Sequence, residues 1–388
     1  MQQRLKKNLE AARGWTIQLR RELHKIPELA QEEEKTAALV AKTLGELGFT
    51  PQTGVGKHGV VATLDTGRPG PVVMFRADMD ALPIQEESGL PFASTHQGAA
   101  HCCGHDCHTA MLLGTAKVLS EAKDKLSGVV RFVFQPAEEA VSGARPMIAE
   151  GIMDSPKVDY CFGMHVWPAV PKGQVGIKSG DLMAAMSWFD LEIIGKGGHG
   201  AMPHLCVDAL EVGTQVVSAL QRITSRQMNP MQPTVVTIGE FHAGTAMNII
   251  PDRAELHGTT RTFDKEVWRT WDKRLRSVIA GVCASMGADF KLEFHQGVPP
   301  VSNDPQATDI VRKAALTLLG ADRIIEPEPT MGGEDMSLFL EQAKGAFVFL
   351  GAQMEDGFPL HNPKIVFPED ILATGVALNC QIAWDLLT

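Results

Sequence analysis

The sequence has no run of lysine and arginine that could bind a phosphate backbone, although it contains 36 basic residues. These are outnumbered by 46 acidic residues, which gives a formal net charge of -10 at pH 7. A chain with this charge and no basic cluster is not expected to bind nucleic acid or an anionic membrane. The acidic excess is expected mainly to aid solubility.

Long apolar runs are also missing, since nowhere do about 18 apolar residues follow one another, the length that indicates a membrane helix. The opening stretch, MQQRLKKNLEAARGW, has basic residues without the apolar run of a signal peptide. Seven cysteines are present, but they are not spaced as a disulfide framework, which indicates a reducing compartment. We therefore predict a cytoplasmic protein.

The length of 388 residues predicts more than one domain. Two helices separated near Pro27 are predicted before residue 48, and a further helix over 109–121. Around that helix and later in the chain lie short apolar runs that end in polar residues: VVMFRADMD, VVRFVFQPAEE, YCFGMHVWP and GAFVFLG. This alternation predicts an α/β fold with a mostly parallel, mixed sheet flanked by helices. Ligands of such sheets gather at the carboxyl ends of the strands.

The middle of the chain shows a different order of elements. The pattern predicts strand, helix, strand, strand, helix and strand over residues 188–194, 208–226, 234–241, 254–261, 264–286 and 290–295. This is the order of a ferredoxin-like α+β unit. We therefore expect an inserted domain over residues 181–295, within a larger catalytic domain formed by residues 1–180 and 296–388.

Potential metal ligands are concentrated in AHCCGHDCHTA, residues 100–110, and recur just past the apolar runs. The recurring candidates are Asp78, Asp80, Glu138, Glu139, His165 and His361. Thiolate, imidazole and carboxylate together are the ligand set of first-row metals. Two adjacent glutamates in a loop can point in different directions, so that one binds a metal and the other acts on a water molecule. Metal-assisted hydrolysis requires this division of roles.

A series of motifs, nearly end to end, resembles the aminoacylase and hippurate hydrolase group of dinuclear metallopeptidases. The motifs are RRELHKIPELAQEE, FRADMDALPIQE, CCGHDCHTAML, QPAEE, GMHVWP, GKGGHGAMPH, MNIIP, RTF, MGGEDMS and LHNP. The resemblance implies a larger catalytic domain with a smaller inserted lid domain that commonly mediates dimerisation. A homodimer or tetramer formed through the lid is therefore expected.

The resemblance also implies which residues would form a metal centre. It implies two divalent metal ions held by Cys103, His105, Glu139, His165 and His361. The metal stays open, because imidazole, carboxylate and one thiolate suit zinc, and manganese, cobalt or nickel fit the same geometry. Glu138 would be the general base that takes a proton from the attacking water. Asp78 matches an acid that orients a metal ligand, a role with a clear physical basis.

Further roles are implied for the lid and the substrate site. His199 and Asn248 would stabilise the developing oxyanion, and the resemblance leaves open whether His199 acts in the partner subunit's site. Arg261 matches a residue near the substrate carboxylate. Gly332 and Gly333, in MGGED, would line the substrate site.

The activity implied is metal-dependent hydrolysis of the amide bond of N-acyl-amino acids, of the N-acetyl or N-benzoyl type, giving a carboxylic acid and a free amino acid. A dipeptidase, or a deacetylase of an N-acetylated diamino acid, stays open because the sequence does not reveal the size of the pocket. A non-catalytic metal or thiol sensor is a third hypothesis. It is motivated by the three clustered thiols Cys102, Cys103 and Cys107. The family has a small residue in place of Cys102 and usually glycine in place of Cys107.

Overall fold

The computed structural model describes residues 3–388. Contacts within the chain divide it into two compact units. Unit 1 comprises the residues up to 182 together with 301–328 and 335–388, and unit 2 comprises 183–300 and 329–334. The predicted catalytic domain includes 329–334, but that segment belongs to unit 2 because Ala184 N–H donates to the carbonyl oxygens of Thr330 and Gly332. The division into a catalytic and a lid domain stays a prediction.

Helices and strands follow one another along residues 3–388. The helices, in chain order, are α1 (Gln3–His24), α2 (Glu34–Glu46), α3 (His105–Ser120), α4 (Ala144–Ala149), α5 (Ala209–Arg222), α6 (Lys265–Met286), α7 (Pro305–Leu319), α8 (Met336–Leu340) and α9 (Ile371–Leu387). The strands are β1 (Gln52–Val55), β2 (Gly59–Asp65), β3 (Val72–Asp78), β4 (Val129–Gln135), β5 (Tyr160–Pro171), β6 (Val175–Gly176), β7 (Gly180–Met183), β8 (Ala185–Ile194), β9 (Gly198–His199), β10 (Thr234–Ala243), β11 (Ile249–Ile250), β12 (Arg253–Thr262), β13 (Asp289–Val298), β14 (Val301–Asn303), β15 (Ile324–Ile325) and β16 (Lys344–Gln353). Among the described helices, none combines the length and the apolar character that crossing a membrane would need.

Unit 1 is built on a mixed sheet with the strand order β1-β2-β4-β3-β5-β16-β6-β15. The four central strands β4, β3, β5 and β16 are parallel to one another, whereas β1 and β2 join the sheet antiparallel. Every residue of β3 is buried, as expected for a parallel strand covered on both faces. The predicted mostly parallel sheet flanked by helices is confirmed.

Helix α3 is the central helix of unit 1. It contacts α1, α9 and strand β3, and for this reason nearly all of its residues are buried. Burial of one leucine side chain of this helix, such as Leu112, contributes about 1.5 to 3 kcal/mol to stability. The helix begins at His105, earlier than the predicted residue 109, because Gly104 makes a left-handed turn directly before it. A predicted metal ligand is therefore the first residue of a buried helix.

Unit 2 contains the predicted order of strands and helices. Its sheet has the order β10-β12-β8-β13 with antiparallel pairing throughout. Helices α5 and α6 pack on this sheet, and the carboxylates of Asp208 and Asp264 accept hydrogen bonds from the first backbone N–H groups of α5 and α6. Helix α5 ends at Arg222, before the predicted residue 226, because the next five residues form a π-helical turn.

Candidate metal centre

The strand ends of unit 1 bring the first set of candidate residues together. Strands β3 and β4 run parallel and in register, so that Asp78 at the end of β3 lies opposite Gln135 at the end of β4. Strand β5, on the other side of β3, carries His165. Parallel strands end at the same edge of a sheet, and the loops that follow β3 and β4 therefore start beside each other.

Gly104 sets the geometry between two candidate ligands, Cys103 and His105. Its φ of 91° lies in the left-handed region, which residues other than glycine rarely adopt. A Cβ atom at this position would also lie 2.4 Å from Cγ2 of Val166. Both constraints require glycine, and the turn allows helix α3 to start with His105 fully buried.

The five predicted metal ligands lie in overlapping groups. In two groups, Cys103, His105 and His165, and Cys103, Glu139 and His361, the ligand atoms all lie within 4.8 Å of one another. Cys103 Sγ is 3.3 Å from Nε2 of His165, whose Nδ1–H donates to the Val166 carbonyl oxygen. His361 Nε2 lies 3.3 Å from Oε1 of Glu139. The structure therefore brings these side chains into one cluster.

Glu138 belongs to the same cluster. Its Oε2 atom lies 4.0 Å from Nε2 of His105, and Oε1 of Glu139 lies 3.9 Å from the same nitrogen. The Glu138 side chain is buried, with 7% of the residue's surface exposed. The two adjacent glutamates thus both approach His105, and their division into a base and a metal ligand stays a prediction.

The cluster fits a bound cation. Within residues 3–388, the buried atoms His105 Nε2 and Glu139 Oε1 form no hydrogen bond of good geometry, although His361 Nε2 lies 3.3 Å from the glutamate oxygen. Buried nitrogen and oxygen atoms are normally paired, and two such atoms without a good hydrogen bond, 3.9 Å apart, are the arrangement that a shared metal ion satisfies. Thiol, imidazole and carboxylate donors match the preferences of zinc and its first-row neighbours.

The electrostatics of the cluster show an excess of negative groups. Burial by itself lowers the pKa of His105, but the surrounding carboxylates, Asp78 first, raise it to about 10. Burial, together with Glu139 and Glu138, raises the pKa of the Cys103 thiol well above its usual range. Burial disfavours ionised Glu139, yet His361 and His105 lower the pKa of its carboxyl. A divalent cation would compensate these converging anionic groups.

Asp78 lies beside the cluster and contacts other residues directly. Its Oδ1 accepts a hydrogen bond of 2.6 Å from Nδ1–H of His108, and its Oδ2 one of 2.7 Å from Arg76. The distance from Asp78 Oδ2 to His105 Nε2 is 3.8 Å. Because His108 Nε2 accepts from Val166 N–H, both nitrogens of that ring are engaged. His108 therefore keeps no lone pair for a metal.

Asp80 contacts two candidate ligands directly, whereas Asp78 does not. From the sequence, Asp80 was predicted only as a possible metal ligand. Its Oδ1 lies 3.1 Å from Nδ1 of His105, which donates the hydrogen bond, and its Oδ2 accepts from the backbone N–H of Glu139 at 2.9 Å. One buried carboxylate thus fixes the ring of one candidate ligand and the main chain of another. Its position two residues after Asp78, in FRADMD, is the signal that could have indicated this role.

The candidate residues of unit 2 form two separate groups. His199 and Asn248 lie on adjacent short segments, where Gly200 N–H donates to the Asn248 carbonyl oxygen. Both side chains are exposed. The backbone N–H of Ala201 donates to Nδ1 of His199, which leaves the proton of a neutral ring on Nε2 as a donor.

Arg261 and Gly333 form the second group. A Cβ atom at Gly333 would lie 3.1 Å from Nη1 of Arg261 and 2.6 Å from Sδ of Met186, so a side chain there would displace its neighbours. Gly332 is partly buried in the same segment. Burial lowers the pKa of Arg261, and among the described residues no carboxylate opposes this effect. The guanidinium is therefore a half-buried cation without an acidic partner in the described part of the chain.

The two extra thiols of the motif are core residues. Cys102 and Cys107 are 2% and 1% exposed, and neither belongs to a group of potential metal ligands found in residues 3–388. Burial raises the pKa of Cys102 to about 12 and that of Cys107 still further. Because the thiolate is the reactive form, these cysteines are poorly suited to redox or nucleophilic chemistry.

Comparison with known proteins identifies the family of the chain. Residues 74–385 match the model of the Peptidase family M20/M25/M40. The protein named thermostable carboxypeptidase 2 from Saccharolobus solfataricus is 40% identical over 388 residues, covering 98% of each chain. The protein named N-acyl-L-amino acid amidohydrolase from Geobacillus stearothermophilus is 45% identical over 300 residues, covering 77% of this chain and 80% of its own.

A solved structure extends the likeness to three dimensions. A crystal structure from Bacillus subtilis, described as a dinuclear metal binding peptidase from the M20 family, is 36% identical. It superposes with a TM-score of 0.84, and the match covers 97% of this chain and 99% of its own. The family resemblance in the motifs is thereby confirmed. The chain belongs to the Peptidase family M20/M25/M40 and is a metal-dependent amidohydrolase.

Proposed function

We propose that this enzyme hydrolyses the amide bond of N-acyl-amino acids, releasing a carboxylic acid and a free amino acid. The observation that carries the proposal is the pair Glu138 and Glu139, which both reach His105 inside the ligand cluster. One carboxylate can then act as a base while the other binds metal. The name of the Geobacillus stearothermophilus relative supports the same substrate class.

Five residues of the cluster would hold the metal: Cys103, His105, Glu139, His165 and His361. Two divalent ions are proposed, in line with the dinuclear relative from Bacillus subtilis. Zinc suits this donor set best, and manganese, cobalt or nickel are the alternatives. When bound, such ions supply Lewis acidity that polarises an acyl carbonyl and lowers the pKa of water.

Glu138 would move the proton in the reaction. Its carboxylate takes a proton from the attacking water as the water oxygen adds to the acyl carbon, and returns it to the amine nitrogen as the C–N bond breaks. A positioned base of this kind typically contributes roughly 10²- to 10⁴-fold in rate. Asp80 contacts His105 and Glu139, and Asp78 contacts His108. These contacts would hold the side chains of the site in position.

His199 and Asn248 are proposed as donors to the developing oxyanion. The support is that they are neighbours and that Nδ1 of His199 accepts from the Ala201 N–H, which leaves Nε2 as the donor of that ring. One such donor is typically worth roughly 10²- to 10³-fold in rate. From the sequence we also propose that the protein assembles as a homodimer or tetramer through unit 2, with His199 of the partner subunit acting in the site. A cytoplasmic location is likewise a proposal from the sequence.

Replacement of Arg261 by alanine is expected to weaken binding of the substrate carboxylate. Since hydrogen bonds to charged groups contribute about 1.5 to 3 kcal/mol, KM should rise roughly 10- to 100-fold with little change in kcat. Steady-state kinetics of an N-acetyl amino acid measures this. The matched control is Arg253→Ala on the same strand, which removes an exposed arginine paired with Glu192. If Arg261→Ala left KM unchanged, Arg261 would not bind the substrate carboxylate. The same would follow if KM rose equally for substrates whose carboxyl is amidated.

Two other functions were open from the sequence. A dipeptidase or an N-acetyl-diamino-acid deacetylase uses the same chemistry. The relative named a carboxypeptidase supports peptides as alternative substrates. The thiol sensor is disfavoured, because burial raises the pKa of both Cys102 and Cys107.

The direct test of the proposed function is a substrate panel. The purified enzyme, supplied in turn with zinc, manganese, cobalt and nickel, is assayed for free amino acid released from N-acetyl and N-benzoyl amino acids, dipeptides and N-acetylated diamino acids. Faster release from simple N-acyl-amino acids is expected. Faster cleavage of dipeptides or diamino acids would favour those alternatives, and no release from any compound with any metal would overturn the proposal.

A further inference from the structure

We propose that Glu33 is a positioning residue that holds the turn carrying Glu138 and Glu139 in its active conformation. This inference rests on the proposed function, in which Glu138 is the base and Glu139 a metal ligand. Glu33 lies outside the ligand cluster, directly before helix α2, and its side chain is fully buried. A buried carboxylate requires partners, and those of Glu33 identify what it does.

The turn after β4 has an unfavourable backbone conformation. Ala137, the residue before Glu138, has a φ of 53°, and so does Val141. Left-handed backbone at residues other than glycine persists only where the surroundings hold it in place. Hydrogen bonds inside the turn, from Val141 N–H to the Glu138 carbonyl oxygen and from Ser142 N–H to that of Ala137, close the loop but leave the Ala137 N–H for another acceptor.

Glu33 supplies that acceptor. Its Oε1 atom accepts a hydrogen bond of 2.7 Å from the Ala137 N–H and one of 3.0 Å from the Gln31 N–H. Ala137 is fully buried, so that without Glu33 its N–H would have no route to water. Loss of this acceptor leaves a buried donor unpaired at the residue where the backbone is already strained.

A second hydrogen bond connects the same two segments. Gln31 Nε2 donates to Oγ of Ser142 at 3.2 Å, and Gln31 itself has a φ of 69°. Residues 31–33 therefore contact the turn at both of its ends. One contact is with Ala137, the residue before Glu138, and the other is with Ser142. The geometry assigns this segment the task of fixing the direction of the two glutamate side chains.

The first test compares two substitutions of Glu33. Glu33→Ala removes the acceptor, and we expect the affinity of the metal-free protein for zinc, measured by calorimetry, to fall about 10- to 100-fold, the range typical of lost outer-sphere partners. The kcat of the zinc-loaded enzyme should fall by a similar factor with little change in KM. Glu33→Gln keeps Oε1, and its amide replaces Oε2, which has no partner within residues 3–388. This variant should stay within about threefold of the wild type in both quantities.

A rescue variant separates positioning from general destabilisation. Glycine adopts a positive φ without strain, so Glu33→Ala combined with Ala137→Gly should recover part of the zinc affinity and kcat lost in Glu33→Ala, while the N–H of residue 137 stays unpaired. Hydrogen exchange of residues 136–142 should be faster in Glu33→Ala and slower again in Glu33→Gln. The double variant also decides the matter if Glu33→Ala alone does not fold, since failure to recover would overturn the proposal.

Glu28→Ala is the matched control. Glu28 is a buried residue before α2 whose carboxylate accepts from the N–H groups of Lys35 and Thr36 in the first turn of that helix. Among the hydrogen bonds of residues 3–388, none joins its side chain to the turn after β4. We expect this variant to lower Tm while leaving zinc affinity unchanged. Wild-type zinc affinity in Glu33→Ala, or an equal loss in Glu28→Ala, would refute the role of Glu33. Failure of the proposed function has a different signature: the wild type itself would release no amino acid, while the zinc titration would still report on Glu33.

Discussion

Glu138→Gln is expected to lower the kcat of N-acyl-amino acid hydrolysis roughly 10²- to 10⁴-fold, because an amide of the same shape cannot take the proton of the attacking water. The metal content and KM should stay close to those of the wild type, since Glu138 is proposed as a base and not as a ligand. Steady-state kinetics together with elemental analysis of the same preparation measures both quantities.

The adjacent residue provides the control for this experiment. Glu139→Gln makes the same chemical change one position along the chain, but at a residue whose Oε1 faces His361 and His105. It should lose metal as well as activity. Equal activity of Glu138→Gln and the wild type would exclude Glu138 as the base, and loss of metal from Glu138→Gln would make it a ligand.

Removal of the metal by a chelator is expected to abolish turnover, and readdition of a divalent metal to restore it. Stability should change in parallel, because the metal binds the folded cluster: at a free metal concentration about 100 times Kd, binding adds about 2.7 kcal/mol to the free energy of unfolding. Activity assays and thermal unfolding of the chelated and restored protein measure the two effects.

Unit 2 contains a second group of histidines around a carboxylate, and this group provides a control for the metal-removal experiment. In unit 2, Asp190 accepts hydrogen bonds from His257 and His295 on the sheet surface. Asp190→Ala disrupts that surface group and should leave metal content, turnover and the response to the chelator unchanged. Full turnover of the chelated wild-type enzyme would contradict a metal-dependent reaction.

The local pattern of the sequence was sufficient to predict the main elements. Apolar runs ending in polar or acidic residues identified β3, β4 and β5, and the parallel order of these strands placed Asp78, Glu138 and His165 at one edge. The pattern of residues 188–295 likewise predicted four strands and two helices of unit 2, apart from their ends. These features depend on residues close together in the chain.

Features that depend on distant segments were not predictable in this way. Glu33 meets Ala137 although 104 positions separate them in the chain, and Asp80 connects His105 to the backbone of Glu139. Periodicity does not encode such contacts, and a local motif such as FRADMD marks Asp80 without identifying its distant partners. The early start of α3 has a local cause, the turn at Gly104, but the need for glycine there comes also from Val166 on another element.

The cysteine-rich motif contains both residues whose role the sequence predicted and residues whose role it could not predict. Its spacing suggested many ligands, yet the structure places Cys103 and His105 in the cluster and engages both ring nitrogens of His108 elsewhere. Cys102 and Cys107 face the core, where burial raises their pKa. Chemical type alone could not separate these residues, because burial and hydrogen-bond partners decide which lone pairs are available.

Anomalous diffraction from crystals of the zinc-loaded enzyme, recorded at the zinc absorption edge, would show directly whether the cluster holds two metal ions. Two peaks are expected, each within coordination distance, about 2.0 to 2.3 Å, of atoms from the set Cys103, His105, Glu139, His165 and His361. The Glu138 carboxylate should lie beside the peaks without direct coordination. Peaks located away from these five side chains, or none in active crystals, would contradict the proposed metal centre.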